Sequence, residues 1–235
     1  VKSPGKLYLI PVPVTDEGGL EQIAPFNLSV CRELKHFIAE NPKTARKHLK
    51  LFSYPSIEQA QISELNLHTE KSEIINLLKP LLEGKDCGLM SEAGAPGIAD
   101  PGADLIALAH KNGIPVVPLS GPSAIMSAIM SSGLNGQNFA FTGYLPREKN
   151  ELKKKLKEME LLAERHKQAQ FFIETPYRNI ALFEMLLGTL KPDTLLYLGI
   201  NLHSDSNCSL TKSVKEWKAS KTPEMNKVPV VFGIY

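Results

Sequence analysis

Three glycine- and proline-rich segments concentrate the residues of this chain that could meet a ligand: Pro11-Val12-Pro13-Val14-Thr15, Ser91-Glu92-Ala93-Gly94-Ala95-Pro96-Gly97-Ile98-Ala99-Asp100-Pro101-Gly102, and Ser120-Gly121-Pro122-Ser123-Ala124. Small residues let main-chain amides and carbonyls approach a bound molecule, and proline lowers the entropy lost in holding the loop still. Read alone, such segments are as readily plain tight turns. Neither GxGxxG nor GxxxxGK[ST] occurs, so the usual phosphate cradles are missing. Two carboxylates stand close to apolar runs, Glu40 and Glu92, and either has the chemistry of a proton acceptor or substrate-orienting group. Glu92 reads equally as a loop-fixing or exposed charge. Glu174 and Arg178 flank Pro176; the guanidinium suits a bidentate grip on phosphate, or a structural salt bridge across the domain junction.

The elements that must position these residues alternate between short apolar runs and longer amphipathic ones. Strands are predicted at Lys6–Val12, His36–Glu40, Cys87–Met90 and Pro115–Pro118, with helices at Leu20–Leu34, Thr44–Leu51, Glu70–Glu83 and Ala103–Lys111. Alternation of this kind predicts βαβ units and a mostly parallel sheet, whose ligands sit beyond the carboxyl ends of the strands. Asp100 and Pro101 punctuate the start of one helix and Asn112-Gly113 its end. The helix after Ser123 carries Ile125, Met126, Ile129 and Met130, all four read as its core face.

Character changes near residue 140, where Phe139–Thr142 enters a new unit. A charged helix (Glu148–His166), a strand (Gln170–Glu174), a helix (Arg178–Leu190), a strand (Thr194–Ile200), a polar stretch and a closing strand (Pro229–Tyr235) follow. The expected architecture is therefore two α/β domains, 1–138 with a parallel sheet and 139–235 with a mixed one. Lys153, Lys154, Lys155, Lys157, Arg165 and Lys167 are interleaved with glutamates and read as a solvated helix face before an RNA-facing stripe. Trp217 reads as a packing anchor.

Composition sets the outer limits. With 27 basic and 25 acidic residues the net charge is +2, too weak by itself to imply a nucleic-acid partner. Cys31, Cys87 and Cys208 lie far apart with no zinc-type spacing, so no metal is expected and a reducing, cytoplasmic setting fits. No apolar run approaches the roughly 20 residues of a membrane span, and the leading apolar stretch reads as a strand and not a signal peptide. The chain begins at Val1, which leaves its true start open.

The segment Ser91–Gly102 resembles the signature of the tetrapyrrole methylase superfamily, most closely the branch that methylates a cytidine ribose 2′-hydroxyl in small-subunit ribosomal RNA. Four more segments fall in the same order: Gly5–Pro11, Pro118–Ala124, Phe141–Pro146 and Phe172–Arg178. The resemblance implies a homodimer that holds S-adenosylmethionine (SAM) in a cleft between two domains and acts on RNA or a ribosomal subunit. It implies cofactor contacts at Val14, Ala95, Ile98, Ser123, Ala124 and Ile173, and in the last strands at Ile200, Pro229 and Val230, largely through main chain. Glu92 takes the place of a family aspartate and Arg178 that of a family arginine. The sequence departs from the family where Asn41-Pro42-Lys43 replaces an Asp-Thr-Arg stretch, at Asn201–Asp205, and at Val228-Pro229; it also ends without the extra C-terminal segment of many relatives. Those departures leave two further readings open: methylation of a tetrapyrrole or other small molecule, and a SAM-binding module without catalysis.

Overall fold

A computed structural model describes residues 3–17 and 19–235 of the chain. These residues form two compact units that divide between Ser123 and Ala124.

In the first unit β1 (Leu7–Ile10), β2 (His36–Ala39), β3 (Gln61–Glu64), β4 (Cys87–Met90) and β5 (Val116–Pro118) pair in the order β3-β2-β4-β1-β5, every pair parallel. A parallel sheet is covered on both faces, so its central strands read as unbroken apolar runs; β4, at the centre, is buried at each of its residues. Helices α1 (Pro25–Glu33) and α2 (Pro42–Leu51) close one face over Ile10, Phe37, Leu49 and Phe52. On the other face α3 (Lys71–Leu77), α4 (Lys79–Leu82) and α5 (Gly102–Lys111) cover Leu7, Ile38, Leu89 and Leu105.

The second unit opens with α6 (Ala124–Ser132) and continues through β6 (Phe139–Tyr144), α7 (Lys149–His166), β7 (Ala169–Ile173), α8 (Asn179–Thr189), β8 (Leu195–Ile200), β9 (Cys208–Ser213), α9 (Val214–Lys218) and β10 (Val230–Ile234). Its sheet runs β6-β7-β10-β8-β9, parallel only between β6 and β7 and antiparallel elsewhere. One face packs on α6 through Ala128, Ile129, Phe171 and Tyr197; the other packs on α7, α8 and α9 through Leu156, Phe183, Leu198, Trp217 and Phe232. Trp217 anchors that core: its indole N–H donates to the Leu196 carbonyl at 2.7 Å, and its ring meets Phe183 edge-on at 5.6 Å.

A parallel first sheet and a mixed second one agree with the expected α/β class. Several details differ from the sequence reading, each for a physical reason. The predicted division after residue 138 lies instead before α6, because Ala128 and Ile129 pack under Phe171, Tyr197 and Val231 of the second sheet. In that helix Met126 and Met130 are not core residues; they are 50% and 82% exposed, and the inward face is Ile125, Ala128, Ile129 and Ser132. The single helix expected over Glu70–Glu83 is two, since Pro80 has no N–H to continue the ladder. The helix expected from Leu20 begins in earnest only at Pro25, whose fixed φ suits a first helical position. Strands β3 and β9 are unforeseen edge strands with few apolar residues, and the capping box Ser213/Glu216 starts α9 in the stretch read as polar.

Leu156 is fully buried in the core that holds Trp217, the chain's single tryptophan. Replacing it with alanine is expected to cost the second unit about 2–5 kcal/mol, the usual range for a leucine cavity. Urea denaturation followed by tryptophan fluorescence reads this as a lower midpoint.

Candidate functional site

The three glycine- and proline-rich segments come together at the carboxyl end of the first sheet. Pro11 and Pro13 lack an N–H, so Val12 holds the one main-chain donor of that tripeptide, and it donates to the Gly94 carbonyl at 2.9 Å. The Gly94 N–H returns a bond to the Val12 carbonyl at 3.1 Å, forming a two-bond antiparallel bridge between the segments after β1 and β4. Gly94 has φ +71°, a left-handed backbone that glycine adopts without steric cost. The third segment closes on the other two. A Cβ on Gly121 would lie 2.4 Å from Pro11 Cβ, and one on Gly94 would touch the Pro122 carbonyl oxygen, Val14 Cγ2 and Ser123 Cα at 3.6 to 3.9 Å. Asn27 on α1 holds that segment by donating from Nδ2 to the Ser120 carbonyl at 2.6 Å.

Side chains fix the second segment from within. Ser91 Oγ donates to the carbonyls of Ala93 and Gly94, both at 3.2 Å. The Asp100 carboxylate accepts from the Gly97 N–H at 2.9 Å and from the Gly102 N–H at 2.7 Å. The cap position of α5 falls on Pro101 and not, as the sequence suggested, on Asp100, which stands one residue earlier and ties the loop back on itself. His48 on α2 approaches the Glu92 carbonyl oxygen through Nε2 at 3.2 Å; a carbonyl only accepts, so the proton sits on that nitrogen.

Three carboxylates gather where β2 and β4 end. Glu40, half-buried after β2, has its pKa raised first by burial and then by the charges of Glu92 and Asp100. Burial also raises Asp100, against the pull of its two backbone N–H bonds. Glu92 is exposed. Glu40 and Glu92, both singled out in the sequence, are therefore near enough to feel each other; Asp100, read there only as a cap, is a third member. Asn41, where the resemblance has an acid, caps α2 by accepting from the Lys43 N–H at 2.9 Å. Burial pushes the thiols of Cys31 and Cys87 up to about 12, which leaves both inert as nucleophiles.

The sequence-predicted contacts fall into two groups by unit. Val14, Ala95, Ile98 and Ser123 lie on the three converging segments of the first unit, with Ile98 46% exposed. In the second unit Ile173 and Ile200 flank β10 in register with Val231 and Val230, and the Asn201 N–H donates to the Pro229 carbonyl at 2.8 Å. Ile200 and Val230 turn their side chains into the core, so only their main chain is on offer; Ala124 and Ile173 both pack against the cluster on the α6 face. Arg178 follows β7 and pairs through Nη2 with Glu174 Oε2 at 3.2 Å, a salt bridge within the second unit and not the one across the domain junction that the sequence suggested. A separate cavity of about 420 Å³, lined by Tyr8, Glu33, His36, Lys85 and Asp86 among others, opens at the amino ends of β2 and β4, the opposite edge.

No family model matches the chain. Curated proteins do. It is 32% identical over 213 residues to the ribosomal RNA small subunit methyltransferase I of Halalkalibacterium halodurans, covering 91% of this chain and 67% of that protein. With the protein of the same description from Thermotoga maritima it shares 34% over 195 residues, 83% of this chain and 79% of the other. With that of Escherichia coli O157:H7 it shares 31% over 200 residues, 85% and 66%. Across such relatives the chain spans from 58% to 79% of their length. Among solved structures it superposes on the methyltransferase CobJ with a TM-score of 0.62 at 18% identity, covering 98% of this chain and 93% of CobJ. The uroporphyrin-III-C-methyltransferase of Thermus thermophilus gives 0.54 at 17% identity, 98% of this chain and 91% of that one. These two likenesses speak for the fold alone.

Because Glu40 is raised, its charge costs stability. Below the ordinary glutamate value of 4.5 it is protonated in folded and unfolded chains alike; as pH rises through the higher folded value, the unfolded chain ionises more readily and stability falls. Glu40→Gln removes that penalty. The variant is expected to melt above the native chain near pH 7, with the difference vanishing below about pH 4.5, as read by thermal melts across pH.

Proposed function

The chain belongs to the ribosomal RNA small subunit methyltransferase I family, and from that premise we propose that it transfers a methyl group from S-adenosylmethionine to a ribose 2′-hydroxyl of small-subunit ribosomal RNA. The observation that carries this reading is the main-chain convergence of Val12, Gly94 and Gly121 at the carboxyl end of the first sheet. A nucleoside cofactor needs a fixed main-chain surface: Val12 and Gly94 are buried and bonded to each other, so they set the turn, and the partly exposed Val14, Ala95 and Ser123 beside them offer it. The residues present fit it, because the approach of Gly121 to Pro11 leaves no room for a Cβ and Gly94 requires a left-handed backbone.

Bound SAM supplies a methyl group that its sulfonium already makes electrophilic. What the chain must add is alignment and a place for a proton. Val14, Ala95, Ile98 and Ser123 are the proposed cofactor contacts of the first unit, and Ala124, Ile173, Ile200, Pro229 and Val230 those of the second. Holding two reactants in line is worth on the order of 7–11 kcal/mol at best, and rigid loops tied by Val12–Gly94 and Asp100 serve that end. Glu40, whose proton affinity is raised by burial and its acidic neighbours, is the proposed acceptor of the hydroxyl proton; Glu92, exposed beside it, orients the ribose. Arg178 takes a phosphate of the same strand. No helix among the described residues is long and apolar enough to cross a membrane. Action on ribosomal RNA fits a cytoplasmic protein, and we assign the working form as a homodimer.

Two measurements check the reading. Gly121→Ala forces a methyl group against Pro11 Cβ, and calorimetric titration with SAM is expected to show at least tenfold weaker binding than the native chain. Small-subunit ribosomal RNA from a strain lacking the gene is expected to lack one ribose methylation, restored by the purified protein with labelled SAM; an unchanged methylation map rejects the acceptor.

A further inference from the structure

The carboxyl end of β6 and β7 in the second unit carries a group of residues for which packing gives no reason. Strands β6 and β7 run parallel with Tyr144 in register with Ile173, so the chain leaves both strands at one corner of the sheet. Tyr144 stands there 58% exposed, and Tyr177, in the 3-10 turn that follows β7, is 78% exposed. Rings of this size normally bury most of their surface and find a partner for the hydroxyl.

Cations stand close to both rings along the chain, with the exposed acids Glu148 and Glu224 among them. Arg178 adjoins Tyr177 in the same turn, and exposed Arg147 follows Tyr144 by three residues. The exposed Lys227 is brought alongside because its backbone N–H donates to the Pro176 carbonyl at 3.3 Å. That neighbouring loop is held by Asn179, which donates from Nδ2 to the carbonyls of Met225 and Val228 at 3.2 and 2.8 Å.

Arg178 is not a loose surface charge. Glu174, whose side chain is 4% exposed, binds it at 3.2 Å through Oε2, while Oε1 accepts the Thr175 N–H at 2.7 Å and hydroxyl at 3.3 Å. Among the described residues Glu174 is the only ion-pair or hydrogen-bond partner of that guanidinium, which keeps donors free on its outer side. A buried carboxylate costs desolvation and is weak evidence for stability; one that orients a cation at the surface has a positioning role. Aromatic rings open to solvent beside a fixed guanidinium match the chemistry of a single-stranded nucleic acid, whose unstacked bases lie on rings while its phosphates meet guanidinium groups.

We propose that Tyr144 and Tyr177 are stacking platforms for unpaired bases of the RNA acceptor, and that Glu174 is a positioning residue holding Arg178 against the phosphate between them. The inference rests on the RNA reading above and adds the form of RNA and the residues that read it. Duplex RNA buries its base faces, so this corner selects a single strand.

Fluorescence anisotropy with a labelled single-stranded RNA of about ten nucleotides, and with a duplex of equal length, tests it. The native chain is expected to prefer the single strand. Tyr144→Ala and Tyr177→Ala each weaken that binding about tenfold while leaving SAM titration and the melting temperature unchanged. Arg178→Ala weakens binding and lowers the salt dependence by about one phosphate contact, and Glu174→Gln shifts affinity the same way. Native affinity retained by both tyrosine variants overturns this inference and leaves the RNA acceptor standing. So does loss of self-association in those variants with RNA binding intact, which makes the corner a contact between copies. A native chain that titrates with SAM but binds neither RNA sinks both readings.

Discussion

Everything at the carboxyl end of the first sheet depends on one pair of main-chain hydrogen bonds, between Val12 and Gly94. Parallel strands deliver their loops to the same edge but do not join them, and loops left apart there would sample many arrangements. The prolines on either side of Val12 remove competing donors, and the positive φ of Gly94 turns its N–H and carbonyl toward Val12. Once the segments after β1 and β4 are bridged, Gly121 can lie against Pro11 and bring the third segment in, with Asn27 holding it from α1. The resulting surface is made of backbone, and its shape tolerates drift in side-chain identity so long as those glycines and prolines remain.

That dependence explains which parts of the molecule could be read from sequence. A backbone surface needs particular residues at particular spacings, so the three segments announced themselves, as did α5 with its Asp100-Pro101 start and Gly113 stop. Buried parallel strands such as β4 were equally plain, since both faces demand apolar side chains. Edge strands carry no such demand. β3 and β9 pair with one neighbour each and are largely polar, and their assignment needed the register with β2 and β8. The boundary between the units was hidden for another reason: α6 has an apolar face, and nothing in that face says which sheet will cover it. Reading Met126 and Met130 as core followed from hydrophobicity where helical phase, set by Ala128 and Ile129, decides.

The candidate site was half legible in the same sense. Glu40 and Glu92 could be named because each stands beside an apolar run, but the group they form with Asp100 is a property of two parallel strands ending side by side. Asn41 makes the complementary point. Read against related sequences it is a lost acid; in the fold it caps α2 and leaves Glu40 the carboxylate at the end of β2. An acid could cap the helix equally well, so what Asn41 changes is charge alone, at an edge that already holds three acids.

Charge, finally, separates the two ends of interest. The first unit's loop edge gathers Glu40, Glu92 and a partly buried Asp100, whereas the corner of the second unit after β6 and β7 sets Arg147, Arg178 and Lys227 beside the exposed Glu148 and Glu224. A net charge of +2 over the whole chain conceals this division. A polyanion is repelled by the three gathered carboxylates and drawn to the outward guanidinium of Arg178. Glu174 is buried and already shared among Thr175 and Arg178, so it directs a positive charge outward and exposes none of its own negative surface.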